Sequence, residues 1–162
     1  MHTRRPARLR HLSYLGCQRY SLTFCTDWKR KWFENADAVA LVLSQFLRVA
    51  DKEGFSILTY FMPDHVHLLV EGLRDDSDAR KFIIKSKQCS AHAYAQALAK
   101  RLWQPFGYEH VLRDDEDVKV VARYILENPV RAGSAKTVLA YPFVGSQVYD
   151  LKELVGTLPD PD

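Results

Sequence analysis

Residues 60–71 read YFMPDHVHLLVE, and two histidines alternate with aliphatic residues after a Pro-Asp turn. Strand side chains alternate between two faces, so His65 and His67 point one way while Val66 and Leu68 point the other. Two imidazoles on one strand face lie about 7 Å apart at the backbone and can share a divalent metal ion. A surface pair, or a core pair with satisfied hydrogen bonds, is the alternative interpretation.

Hydrophobic periodicity predicts four strands and two long helices around this stretch. We expect strands at 20–26, 55–62, 65–71 and 108–113, and helices at 36–52 and 78–100. The β-α-β-β-α-β order is that of the split βαβ, ferredoxin-like fold, an antiparallel α+β sheet with both helices on one face. Val66, Leu68 and Val70 should face the helices. His65 and His67 should lie on the opposite, open face, with the small side chains of the first strand.

A further amphipathic helix is predicted at 116–128, free to cover the open face. Tyr124 and Asn128 lie one turn apart on the flank of its apolar stripe. A tyrosine hydroxyl, with a pKa near ~10, is a weak nucleophile, but phosphoryl transfer beside a metal tolerates it. Asn128 could offer a carbonyl oxygen to that metal. Alternatively, Asn128 before Pro129 simply caps the start of a following turn.

Length and composition predict one soluble domain. The chain has 162 residues, 47% of them hydrophobic and 27% charged, which suits a protein with a substantial core. No apolar run is long enough for a membrane span or a secretory segment, so we expect a cytoplasmic protein. Its three cysteines lack CxxC spacing and are expected to be reduced. The predicted division is a basic arm at 1–19, a domain at 20–146 and a tail at 147–162.

Two motifs, in this order, resemble a known family. His65-Val66-His67, preceded by Met62-Pro63-Asp64, resembles the histidine–hydrophobe–histidine (HUH) motif of single-tyrosine transposases. Residues 124–133, YILENPVRAG, resemble the tyrosine segment of the REP-associated tyrosine transposases. The strand at 20–26 and the YPF sequence at 141–143 are also similar to that branch. The resemblance covers roughly residues 15–146.

The resemblance implies cleavage and rejoining of single-stranded DNA through a 5′-phosphotyrosine, with release of a 3′-hydroxyl. Tyr124 would be the nucleophile, and His65, His67 and Asn128 would hold Mg²⁺ or Mn²⁺. The expected partner is DNA with palindromic, hairpin-forming elements. Resemblance to the REP-associated branch favours a monomeric protein. Two alternatives stay open: a regulator that binds hairpins without cutting them, and a metal-dependent phosphodiesterase on a ferredoxin-like scaffold, for which Tyr124 would be dispensable.

Basic residues are candidates for DNA contacts, although the net charge is only +3. The N-terminal arm should grip DNA through Arg4, Arg5, Arg8 and Arg10. Lys81 and Lys85, one helical turn apart, either follow phosphates or form a solvated face. Arg113 lies just before the last helix and is a further candidate. The aromatic residues near Lys29, Arg30 and Lys31, Trp28 and Trp32 among them, could stack on unpaired bases, although core packing is expected for most.

Overall fold

The structure, a computed structural model, describes residues 13–105, 108–112 and 144–146, and positions 127, 130, 131, 133 and 136. The element bounds are β1 Arg19–Cys25, α1 Ala36–Glu53, β2 Phe55–Met62, β3 His65–Gly72, α2 Ala79–Leu98, β4 Tyr108–Leu112 and β5 Val144–Ser146. The first six elements confirm the predicted β-α-β-β-α-β order, each within two residues of its expected bounds.

The strands form one antiparallel sheet. Across the described residues its order is β4-β1-β3-β2-β5. Its first four strands have the ferredoxin-like arrangement, which confirms the predicted α+β class. The histidine strand β3 is therefore central, paired with β1 on one side and β2 on the other. This position gives each histidine neighbouring side chains on two strands.

The apolar face of the sheet packs against both helices, as the alternation predicted. Val66, Leu68 and Val70 of β3 are fully buried in one core cluster with Phe46 of α1 and Phe82 of α2. The residues of β1 that alternate onto this face, Tyr20, Leu22 and Phe24, are also fully buried. Since strand side chains alternate, His65 and His67 lie on the face away from the helices.

Local capping explains where the helices begin and end. The Asn35 side chain accepts hydrogen bonds from the backbone N–H groups of Asp37, at 2.8 Å, and Ala38, at 3.3 Å, which starts α1. Gly54, with φ of 75°, ends α1 in the left-handed conformation that glycine adopts at little steric cost. Asp78 caps α2 by accepting from the backbone N–H of Lys81 at 3.2 Å.

The two ends of the chain add contacts that the sequence pattern did not indicate. Within the segment predicted as a basic arm, Tyr14 is 8% exposed and stacks on Tyr20 at 6.0 Å between ring centroids. Arg19 is already the first residue of β1. The short strand β5 was not predicted, and it extends the sheet by pairing with β2. The predicted helix at 116–128 lies outside the described residues except for position 127.

Two further expectations concern the whole chain. Cys17, Cys25 and Cys89 are all free thiols, as the absence of CxxC spacing predicted. Among the residues that the structure describes, no helix is both long and apolar enough to cross a membrane.

Candidate metal centre

The register of the central strands sets the surroundings of the histidine pair. His67 lies opposite Thr23 of β1 and Tyr60 of β2. His65 lies opposite Cys25 and Met62, at the end of the sheet where the Pro63-Asp64 turn leads into β3. Because all these positions alternate onto one face, they surround both imidazoles with polar and apolar side chains.

The two imidazoles converge through their Nε2 atoms. His65 Nε2 and His67 Nε2 are 3.2 Å apart, and the two rings are perpendicular with centroids 4.8 Å apart. Two nitrogens bound to one ion at about 2.1 Å each are separated by roughly 3.0 to 3.4 Å, depending on coordination geometry. The observed distance lies within that interval, so the pair fits two ligands of one metal ion without a change of rotamer.

The other ring nitrogen of each histidine has a fixed partner. His65 Nδ1 lies 2.6 Å from Asp64 Oδ1. A carboxylate can only accept, so this nitrogen carries the proton and the Nε2 of the neutral ring keeps its lone pair. A carboxylate behind a ligating histidine is the usual arrangement at metal sites in proteins.

His67 has a different partner, the hydroxyl of Thr23. His67 Nδ1 lies 3.0 Å from Thr23 Oγ1. A hydroxyl can donate or accept, so Thr23 accommodates either tautomer of His67. Without a cation, His67 can carry its proton on Nε2 and donate it to His65. With a cation, His67 Nδ1–H donates to Thr23 and frees the Nε2 lone pair.

The electrostatic surroundings keep His67 available as a neutral ligand. Burial, and to a lesser extent the neighbouring His65, lower the pKa of His67 from its ordinary 6.5 to about 4. His67 is therefore neutral at physiological pH. Burial also raises the pKa of the Cys25 thiol, against a smaller lowering by Lys29, which favours the protonated thiol over a thiolate ligand.

The face around the histidines is more enclosed than an open sheet surface. Leu58, Tyr60 and Leu69 lie on this face and are 1%, 0% and 4% exposed. The Tyr60 ring stacks on His67 with 6.5 Å between centroids. Such enclosure lowers the local dielectric constant, which strengthens any charge interaction at the pair.

Sequence reasoning found the histidines but missed the partners of their Nδ1 atoms. Asp64 immediately precedes His65, so its role had a signal in the sequence. Thr23 lies 44 residues away from His67 in the chain, and only the register of β1 against β3 pairs them. The alternating small polar face of β1 was the available signal for Thr23.

The remaining predicted site residues have different outcomes. Tyr124, Asn128 and Arg113 lie outside the described residues, as do the arm residues Arg4, Arg5, Arg8 and Arg10, and their roles stay predictions. Within the described part of the chain, no cluster of three or more His, Cys, Asp and Glu side chains could hold a metal ion.

Lys81 and Lys85 contact a carboxylate of the protein itself. Glu53, at the end of α1, is 6% exposed, and its two carboxylate oxygens lie 3.2 Å from Lys81 Nζ and 2.5 Å from Lys85 Nζ. These ion pairs join α1 to α2 on the helix side of the sheet. They give both lysines a structural role, and the predicted DNA contacts of these lysines stay a prediction.

Comparisons with known proteins agree with this architecture. The family described as "Transposase IS200 like" matches residues 16–128. An Escherichia coli K12 protein described as a REP-associated tyrosine transposase is 32% identical over 82 residues, which are 51% of this chain and 48% of that protein. The chain thus spans about half the length of the curated relatives it matches.

Solved structures share the fold. A REP-associated tyrosine transposase bound to a REP hairpin superposes with a TM-score of 0.71 at 24% identity, over 86% of this chain and 82% of that one. A candidate transposase from Deinococcus radiodurans R1 gives a TM-score of 0.52 at 20% identity, over 76% and 97% of the two chains. The family match covers more than half of the sequence and includes both histidines. The chain therefore belongs to the IS200-like transposase family.

Proposed function

We propose that this protein cleaves and rejoins single-stranded DNA at hairpin-forming palindromes, with Tyr124 as nucleophile and a divalent metal ion held by His65 and His67. The observation that supports this most is the convergence of the two Nε2 atoms at 3.2 Å, with each Nδ1 already hydrogen-bonded. Binding of a hairpin alone would need no such pair. The family membership supplies the reaction class.

In the proposed reaction the Tyr124 phenol oxygen attacks the scissile phosphorus. A P–O bond to tyrosine forms, the P–O3′ bond breaks, the phenol proton is lost to solvent and the leaving oxygen is protonated to a 3′-hydroxyl. A bound Mg²⁺ or Mn²⁺ would supply charge stabilisation to the phosphate oxygens. Asp64 and Thr23 hold the imidazoles in position. Rejoining is the reverse attack, by a 3′-hydroxyl on the phosphotyrosine.

A hairpin substrate is proposed from the relatives. One structure that shares this fold over most of its length is that of a REP-associated tyrosine transposase bound to a REP hairpin. We further propose that Asn128 is the third metal ligand and that Arg4, Arg5, Arg8, Arg10 and Arg113 contact the DNA backbone. The proposal for Asn128 rests on the tyrosine motif, that for the four arm arginines on the basic cluster in the sequence, and that for Arg113 on its position just before the predicted tyrosine helix.

End-labelled DNA tests the nucleophile and the polarity of cleavage together. We expect the protein, with Mn²⁺ and an oligonucleotide carrying a palindrome from the flanks of its gene, to form a covalent adduct resistant to denaturing gel electrophoresis. A 3′-end label should remain with the protein, because the tyrosine retains the 5′-phosphate. A 5′-end label should appear on a shorter free strand.

Variants and chelation complete the experiment. Tyr124→Phe and chelation by EDTA should each abolish the adduct, since the first removes the attacking oxygen and the second the metal. Tyr94→Phe is the matched control, because Tyr94 is a buried tyrosine of α2, and it should form the adduct normally. An adduct from Tyr124→Phe equal to that of the wild type would contradict the assignment.

A further inference from the structure

Trp28 is an exposed aromatic residue in the turn that follows β1. Its side chain is 83% exposed, the highest value among the exposed large hydrophobic residues of the described chain. Leaving an indole ring in water forgoes a large gain from burial. A tryptophan in such a position therefore indicates a contact with a partner outside the protein.

The backbone at this turn is strained. Trp28 has φ of 55° and Lys29 has φ of 52°, both in the left-handed region that residues other than glycine rarely adopt. Each such residue costs roughly 1 to 2 kcal/mol and persists only where its surroundings enforce it. Neither position is glycine, so the turn retains a large side chain despite that cost.

Hydrogen bonds on both sides of the turn enforce this conformation. Thr26 N–H donates to the Asp64 carbonyl at 2.9 Å, and Asp27 N–H donates to the Leu102 carbonyl at 2.8 Å. The buried Thr26 hydroxyl lies 2.7 Å from the Arg30 carbonyl and 2.9 Å from the Asp64 carbonyl. The turn is thus anchored to two other segments, and these hydrogen bonds hold the backbone that carries the indole in one position.

The anchoring also places the turn beside the histidine pair. Asp64 directly precedes His65 and accepts a hydrogen bond from its ring. Asp64, one of the two residues whose carbonyls anchor the turn, is therefore also the residue that orients His65. Cys25, which ends β1 just before Thr26, pairs with His65 across the sheet. The turn that carries Trp28 and the candidate metal centre thus share one end of the sheet.

The surroundings of Trp28 are cationic. Lys29, Arg30 and Lys31 follow it directly, and all three are exposed. Protein–protein interfaces are depleted of lysine relative to the rest of the protein surface. An aromatic ring among cations instead matches single-stranded nucleic acid, in which bases stack on aromatic rings while phosphates meet basic side chains.

We infer that Trp28 is a stacking platform for an unpaired base of single-stranded DNA that flanks the hairpin, at the end of the sheet where His65 lies. This inference rests on the proposed function for its substrate class and extends it to a residue that holds that strand. Lys29, Arg30 and Lys31 would contact the phosphates on either side of the stacked base.

Binding measurements with two DNA probes test the inference. One probe is a hairpin with single-stranded flanks, and the other is the same hairpin without them. Trp28→Ala should weaken binding of the flanked hairpin about five- to 150-fold, the range for losing one stacked base. Binding of the hairpin without flanks should change less than twofold. Trp28→Phe should retain most of the affinity, because a phenyl ring also stacks.

Tryptophan fluorescence provides a second readout. The flanked hairpin should quench wild-type emission. Trp28→Phe should still bind, and its remaining emission, from Trp32 and Trp103, should lose most of that quenching. Leu73→Ala is the matched control. Leu73 is a 59% exposed residue just after the far end of β3, and its truncation should leave both binding and quenching unchanged.

The outcomes separate this inference from the proposed function. Equal affinity of Trp28→Ala and wild type for the flanked hairpin would overturn the inference. So would an equal loss on both probes, or no binding of the flanked hairpin by the wild type. If Trp28→Ala weakens binding as expected while the wild type forms no Tyr124 adduct, the inference stands and the proposed cleavage fails.

Discussion

At the scale of single residues, the hydrogen bonds of the histidine pair determine what the site can bind. Asp64 fixes the tautomer of His65, and the Thr23 hydroxyl supports either tautomer of His67. The spacing of the two histidines in the sequence predicted a shared face. It could not predict the 3.2 Å approach of their Nε2 atoms, because ring orientation depends on the neighbouring strand.

Thr23→Val tests the contribution of the hydroxyl to metal binding. The substitution keeps the shape of the side chain and removes the acceptor for His67 Nδ1–H, so the ligating tautomer loses its support. Partners of metal ligands typically contribute ten- to 100-fold in affinity. We expect Mn²⁺ to bind Thr23→Val about tenfold more weakly by isothermal titration calorimetry.

Ser21→Ala is the control for this substitution. Ser21 lies two residues before Thr23 on the same face of β1, and its cross-strand partners are Leu69 of β3 and His110 of β4, not His65 or His67. Its substitution should leave Mn²⁺ affinity unchanged. Equal affinities of Thr23→Val and the wild type would show that the hydroxyl does not support the ligating tautomer.

At the scale of secondary-structure elements, α1 and α2 are joined by the ion pairs of Glu53 with Lys81 and Lys85. Hydrogen bonding to Lys85 lowers the pKa of Glu53, against the opposing effect of burial. The folded protein therefore binds this proton less readily than the unfolded chain does. The resulting stabilisation is present above the unfolded pKa, about 4.3, and is lost as the pH falls through the lower folded pKa.

Glu53→Gln should accordingly lower the free energy of unfolding by about 1.5 to 3 kcal/mol at pH 7, the usual contribution of hydrogen bonds to a charged group. The difference from wild type should shrink in acid, where the wild-type carboxyl becomes protonated. Urea unfolding at pH 7 and near pH 3 measures both values. A difference independent of pH would mean that the charge of Glu53 does not contribute.

The elements that the sequence predicted are those with local signals. Hydrophobic periodicity located both helices, and the structure adds the caps at their ends, Asn35 and Gly54 for α1 and Asp78 for α2. By contrast, β5 has three residues, too few for an alternating pattern, and forms because β2 offers a free edge. The strained turn at Trp28 was also unpredictable, because distant carbonyls enforce it.

At the scale of the whole molecule, the ferredoxin-like topology makes the histidine strand central and places both helices behind it. The order of elements predicted this arrangement, since a split βαβ pattern allows few other sheets. One end of the sheet then brings together the Pro63-Asp64 turn, His65 and the Trp28 turn. These segments meet because β1 ends, and β3 begins, at this end of the sheet.

The central claim is that His65 and His67 hold one divalent ion, whether or not Tyr124 is present. Electron paramagnetic resonance of free Mn²⁺, measured during titration of the protein, counts the bound ions directly. We predict one ion per chain for the wild type and for Tyr124→Phe, and binding at least tenfold weaker for His67→Ala. Unchanged Mn²⁺ binding by His67→Ala would contradict the claim.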